Sequence, residues 1–312
     1  MGSIIEVKGL TKRFGENIIL DNINFDIEEG SVFGLIGRSG CGKTTLLNML
    51  VGFLKPNKGN ILFRGKEISK LGNKLGINVG LACQGGSFYN ELSVHENLAY
   101  FGRLYGLEGK DIKERTGILL NTFGLMDALN TLGQNLSIGM QKRLDIACSL
   151  IHDPEVLILD EPTANLDPVL RKNILDLIKK INESGTTVII SSHILDDIST
   201  LCNKVLVIDN KRIIGLDSPH NLELKLSKSD VIKLESELCA YDGVVAALLS
   251  NGAIDNYQLD GASLLLFTKD TKNALKHINS YYSKEGDQLV QINIVKPSLG
   301  HIFDVVVDNE KN

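Results

Sequence analysis

Gly37-Arg38-Ser39-Gly40-Cys41-Gly42-Lys43-Thr44 decides how this 312-residue sequence is read. The octet satisfies the pattern GxxxxGK followed by Ser or Thr in full. It stands between a short apolar run, residues 32–36, and a stretch of helical apolar spacing that begins at Thr44. Glycines let the backbone curl until several N–H groups face one concavity, and the helix that follows adds its positive N-terminal end. Such a turn is a cradle for a triphosphate. Gly37, Ser39, Gly40, Cys41 and Gly42 are expected to wrap it, with Thr45 touching the α-phosphate. Lys43 is expected to reach the β- and γ-phosphates, and Thr44 to ligate Mg²⁺.

Outward from the loop, Val156-Leu157-Ile158-Leu159-Asp160-Glu161 is an apolar run that ends in two carboxylates. A buried strand of this kind delivers them to the carboxyl edge of a parallel sheet, where open α/β folds bind ligands. Asp160 is expected to hold Mg²⁺. Glu161, one residue later, points elsewhere and is expected to polarise the attacking water.

The rest of the chain fits an α/β frame around these two elements. Residues 4–8, 22–27 and 32–36 read as strands, and residues 61–63 follow the turn Pro56-Asn57-Lys58-Gly59. Residues 94–105 and 112–123 repeat apolar side chains at helical spacing. Strand-sized runs return at 156–159, 187–190 and 205–208, separated by helical stretches at 169–182 and 195–201. That alternation implies parallel βαβ units. A break follows at Asp217-Ser218-Pro219. Beyond it come a strand at 231–234, a helix at 241–250, a strand pair around Asp260-Gly261, a helix at 271–284 and a strand at 289–295. This order predicts a small α+β, ferredoxin-like unit. Two domains are expected, residues 1–217 and 221–312.

Composition narrows the function. With 33 basic and 38 acidic residues the net charge is −5, which argues against a chain-wide nucleic-acid footprint. Cys41, Cys83, Cys148, Cys202 and Cys239 are scattered without a CxxC pair, as expected of reduced thiols rather than a disulfide framework or zinc site. The longest apolar runs are strand-sized, far short of the roughly 18 residues that span a bilayer. The opening MGSIIEVKGLTKRF lacks the apolar core of a signal peptide, and Glu6 stands where myristoylation wants Ser or Thr.

Taken together, the motifs over residues 4–217 resemble the ATP-binding subunits of ABC transporters. The resemblance implies a P-loop NTPase cassette with a mixed sheet core, an antiparallel β-subdomain and a helical subdomain at about residues 88–150. Phe14 matches the position where the family, usually with Tyr, stacks an aromatic on adenine. Gln84 matches the Q-loop, whose amide touches Mg²⁺ or water and the loop that meets the membrane partner. Asp167, in Asn165-Leu166-Asp167, matches the D-loop, and His193, in Ser191-Ser192-His193, the switch histidine near the γ-phosphate. Without this context Phe14 reads as a core aromatic and His193 as a structural residue. His95, His152, His220, His277 and His301 have no such context.

Leu136-Ser137-Ile138-Gly139-Met140-Gln141-Lys142-Arg143 resembles the ABC signature, which other P-loop enzymes lack. The resemblance implies that Ser137 and the Gly139 N–H meet the γ-phosphate held by a second cassette. ATP would then join a head-to-tail pair, with a second copy or a paralogue. Ser137 also reads as a helix N-cap, and both roles are compatible. Ile138 replaces the family's first glycine and Met140 its glutamine, while Gly139 is retained.

Residues 92–107 are similar to the helical subdomain of stand-alone ATPases that serve prokaryotic exporters of drugs, ions or polymers. Lys296-Pro297-Ser298-Leu299-Gly300-His301-Ile302-Phe303 resembles that subgroup's Pro-Ser-Leu-x-x-x-Phe ending, with Gly300 at an often acidic position. The same run also reads as a terminal amphipathic helix docking on its own domain. The expected function is ATP hydrolysis that powers an exporter, with separate permease subunits and no nucleic acid. Its expected place is cytoplasmic, held on the membrane face by the permease. The alternatives are an importer ATPase or a soluble ABC-type ATPase on ribosomes or DNA. One cassette, no heptad run and an acidic balance weigh against the last.

Overall fold

Residues 32–37 form the strand on which the first part of the chain is built. The computed structural model describes residues 2–226, 230–283 and 287–295. The chain divides into two compact units, Met1–Pro219 and His220–Asn312. The first opens with a long hairpin, β1 (Ser3–Phe14) and β2 (Asn17–Glu28), then β3 (Val32–Gly37) and α1 (Lys43–Leu50). β4 (Lys58–Phe63) and β5 (Lys66–Glu67) extend the hairpin, and α2 (Ile68–Leu71) and α3 (Asn73–Asn78) lead into β6 (Val79–Ala82). Three longer helices follow: α4 (Val94–Leu104), α5 (Gly109–Phe123) and α6 (Ile138–Leu150). The alternation then resumes with β7 (Val156–Asp160), α7 (Pro168–Glu183), β8 (Thr187–Ser192), α8 (Leu195–Leu201), β9 (Lys204–Asp209) and β10 (Arg212–Asp217).

These strands make two sheets, an antiparallel one in the order β2-β1-β4-β5 and a six-stranded one ordered β10-β9-β3-β8-β7-β6. The second is parallel from β9 to β6, as the alternation predicts. β3 lies between β8 and β9, so the loop after it leaves the carboxyl edge near the middle of the sheet. Leu10, Leu20, Phe33, Leu46, Ile158 and Ile189 belong to one apolar core that joins strands of both sheets to α1. β10, absent from the sequence reading, turns back antiparallel on β9. Its side chains are exposed or half-buried and Gly215 shifts the register, which hides the alternation.

The helical segment begins with a capping box at α4, where Ser93 accepts the Glu96 N–H and the Glu96 carboxylate accepts the Ser93 N–H. Beyond α6, His152 is 8% exposed. It stacks on Tyr105 with ring centroids 3.6 Å apart. Burial pushes its pKa from 6.5 down to about 4. The unfolded chain therefore protonates first, and this ring's contribution to stability is lost as pH falls from about 6.5 to 4. Asp145 acts in the opposite sense, because burial raises its pKa from 3.8 to about 6 and the folded chain protonates first. His152→Phe keeps a stacked ring, and its stability relative to wild type is expected to rise by about 3 kcal/mol from pH 7 to pH 4. Urea unfolding at several pH values measures this, and a difference independent of pH would overturn it.

At the junction stands α9 (Pro219–Leu226). The second unit runs β11 (Asp230–Ser236), α10 (Asp242–Ser250), β12 (Asn256–Asp260), β13 (Ser263–Thr268), α11 (Thr271–Tyr282) and β14 (Leu289–Val295). Its sheet is ordered β12-β13-β11-β14 and is antiparallel throughout, which is the ferredoxin-like arrangement. Ile232, Leu234, Leu264 and Leu266 pack with Val244 and Leu248 of α10 and Ala274 and Ile278 of α11. Lys284, at the expected end of that helix, and Lys296-Pro297-Ser298-Leu299-Gly300-His301-Ile302-Phe303 lie outside the described residues. Among the described residues no helix is long and apolar enough to cross a membrane.

Candidate functional site

The glycine-rich loop of residues 37–44 owes its shape to places where a side chain does not fit. A Cβ on Gly37 would strike the Cys41 sulfur and come within 2.6 Å of the Ile208 carbonyl oxygen. Gly42 sits at φ +109° with Ile19 against it, a backbone that L side chains rarely adopt. α1 starts at Lys43, a residue only 7% exposed whose ammonium is turned back under the loop. It donates to the Gly37 carbonyl at 2.7 Å and the Arg38 carbonyl at 3.3 Å, and lies 3.6 Å from Glu161 Oε1. Burial pushes the Cys41 thiol up, so it adds no negative charge beside the loop.

The end of β7 meets this loop. Thr44 Oγ1 donates to Asp160 Oδ2 at 2.9 Å, and the Ser191 hydroxyl donates to Asp160 Oδ1 at 2.5 Å. Glu161 stands at φ +52°, a left-handed backbone that costs a non-glycine residue about 1–3 kcal/mol. Ser191 holds it there, because the Glu161 N–H donates to both Ser191 Oγ at 2.9 Å and Ser191 O at 3.2 Å. The Glu161 side chain is fixed as well. Its Oε2 accepts the His193 N–H at 3.3 Å and lies 2.6 Å from His193 Nδ1. The buried carboxylate therefore bridges a buried ammonium and a largely exposed imidazole.

A cleft of about 410 Å³ opens above these groups. Ser39, Gly40, Gly42, Lys43, Thr44 and Thr45 line one side, with Gln84, Glu161 and His193 reaching it from three other loops. Gly37, Cys41 and Asp160 sit behind that lining. Phe14 ends β1, half exposed, with the Lys12 ammonium 4.9 Å from its ring centroid, and does not line the cleft. Ser137, Gly139 and Asp167 do not line it either. Ser137 caps α6 and accepts the Met140 N–H at 3.4 Å. Gly139 is buried against Leu170, and Asp167 caps α7 through the N–H groups of Val169 and Leu170 at 2.9 Å.

Two contributors were not singled out from the sequence. Ser191 stands two residues before His193 in sequence, yet it braces both carboxylates. Its signal is the pairing of Ser191 with Asp160 between β8 and β7, which no local pattern reveals. Ile19, an ordinary strand residue by pattern, supplies an apolar wall of the cleft.

A family profile described as ABC transporter matches residues 20–164. The Nod factor export ATP-binding protein I of Ralstonia nicotianae is 34% identical over 278 residues, which are 89% of this chain and 85% of that protein. The linearmycin resistance ATP-binding protein LnrL of Bacillus subtilis is 34% identical over 231 residues, 74% of each chain. Among solved structures, cbiO1 of Clostridium perfringens, described as part of the ABC transporter complex cbiONQ, matches with a TM-score of 0.67. It is 28% identical over 80% of this chain and 96% of that one.

Proposed function

This chain belongs to the ABC transporter family of ATP-binding, ATP-hydrolysing proteins, and from that premise we propose that it powers an exporter whose permease is a separate chain. The reading rests most on one observation: Lys43, Thr44, Glu161 and His193 converge at a single cleft on the carboxyl edge of a parallel sheet, with Asp160 bonded to Thr44 behind them. The relative named for Nod factor export supports the direction of transport. On this reading residues 1–217 are the cassette, with its helical part at about 88–150, and residues 221–312 an accessory domain. The cassette sits on the cytoplasmic face through its permease.

The chemistry follows from the partners already in place. The ammonium of Lys43 exchanges carbonyl oxygens and Glu161 Oε1 for the β- and γ-phosphates of ATP. That exchange frees Oε1 to take the proton of an attacking water, while His193 keeps Oε2 oriented. Thr44 Oγ1 and Asp160 Oδ2, 2.9 Å apart, are the hard oxygen donors that suit Mg²⁺. Bound there, Mg²⁺ would neutralise charge that develops on the phosphate oxygens. Gln84, at the mouth of the cleft, links the nucleotide to the loop that meets the permease. Phe14 supplies a π face for adenine and Asp167 fixes the start of α7 at the junction between cassettes. Ser137 and Gly139 complete the site of a second cassette.

Purification of the tagged full chain from native membranes tests the transport reading. An integral membrane subunit is expected in stoichiometric amount, from a gene with about six membrane-length apolar segments. Recovery of ribosomal RNA or duplex DNA in its place would overturn it.

A further inference from the structure

Gln84 and Ser137 belong to different segments, yet the loop that carries one is fastened to the helix that carries the other. Asp145 lies on α6, two turns beyond the Ser137 cap, and is 2% exposed. Its Oδ1 accepts the N–H of Ser87, three residues after Gln84, at 2.6 Å. One turn earlier on the same face of α6, the Lys142 ammonium donates to the Gln84 carbonyl oxygen at 3.4 Å. The segment between β6 and α4 therefore hangs on α6 at two points. Its far end is held separately by the buried Asn97, which accepts the Tyr89 N–H at 2.7 Å and donates to the Leu92 carbonyl at 3.1 Å.

Of these fastenings Asp145 is the one that chemistry makes expensive. A carboxylate without solvent is disfavoured, and burial raises this one's pKa against the pull of the Ser87 N–H and Lys142. An apolar residue would remove that penalty but leave the Ser87 N–H without its acceptor. A charge-assisted bond is also shorter and stronger than a neutral one, which suits a joint that carries motion. Asp145 does not line the cleft and has no direct part in the chemistry.

We propose that Asp145 is a positioning residue of the hydrolytic cycle, tying the Gln84 loop to α6 so that Gln84 and Ser137 move as one body. This rests on the ATPase reading above. It concerns coupling between two segments, and nucleotide affinity is outside its reach.

The sequence has no tryptophan, so Tyr89→Trp places a single emitter in the loop of the full chain. In that background ATP is expected to shift the emission. Adding Asp145→Leu is expected to abolish the shift, lower kcat about tenfold and leave KM within about twofold, since the lost bond lies away from the cleft that binds the nucleotide. Asp145→Asn keeps an acceptor oxygen and is expected to retain at least about half of kcat. The proposal is overturned if Asp145→Leu keeps both kcat and the emission shift, if KM rises in step with the loss of kcat, or if Asn is as damaging as Leu. Should Asp145→Leu fail to fold, Ser87→Pro removes the same bond from the loop side, and the same outcomes decide. Lack of ATPase activity in the wild-type chain would count against the ATPase reading, and the emission response to ATP would still decide on the tether.

Discussion

Glu161→Gln is expected to lower the steady-state ATPase rate of the full chain by about 10²–10³-fold while ATP binding survives. The substitution is nearly isosteric, so the left-handed turn at φ +52° and its bonds to Ser191 are kept. What it removes is basicity. The amide still accepts the His193 N–H, but it takes no proton from water. It also withdraws the anion that lies 3.6 Å from the Lys43 ammonium and would face the incoming γ-phosphate. ATP is therefore expected to bind as well as before or better, and to persist. Gel filtration with ATP should show a long-lived closed pair, and a phosphate-release assay should show almost no turnover. An undiminished rate would remove Glu161 from the role of base, and a loss of ATP binding would make its role structural.

The candidate site was legible where it depends on neighbours in sequence. A loop that must present N–H groups to phosphate needs its glycines, lysine and hydroxyl at fixed spacing, and those residues stand together in eight positions. An apolar run that ends in Asp160 and Glu161 likewise carries its own direction. The βαββαβ order of the second unit was readable because Asp260-Gly261 and the two amphipathic runs punctuate it locally. What depended on register was hidden. Ser191 braces both carboxylates only because β8 pairs with β7 so that Asp160 and Ser191 are opposed. The bond from Asp145 to Ser87 spans 58 residues, and nothing in the pattern of α6 announces it. Edge elements were hidden for a different reason. β10 pairs on one side only and none of its residues is fully buried, so selection for an alternating apolar face is weak there.

Gly139→Asp is expected to abolish turnover without touching the chain's own nucleotide cleft. Neither Ser137 nor Gly139 lines that cleft, whereas Lys43 and Thr44 do. If a γ-phosphate meets Ser137 and the Gly139 N–H, it is one carried by another chain. An aspartate at position 139 would put its Cβ 2.9 Å from Leu170 and add a negative charge to the first turn of α6, beside the N–H that is to meet that phosphate. ATP binding to the dilute chain should stay within about threefold of wild type, while hydrolysis falls at least about a hundredfold. Lys43→Ala is to provide the converse defect, because it removes the ammonium assigned to the phosphates and leaves α6 intact. Random pairing of the two variants makes half of all pairs mixed, and each mixed pair holds one composite site with both wild-type halves. Mixing them is therefore expected to restore up to about a quarter of wild-type activity, from two proteins that each have almost none. No recovery on mixing folded variants would overturn the head-to-tail exchange, and so would weak ATP binding by Gly139→Asp alone.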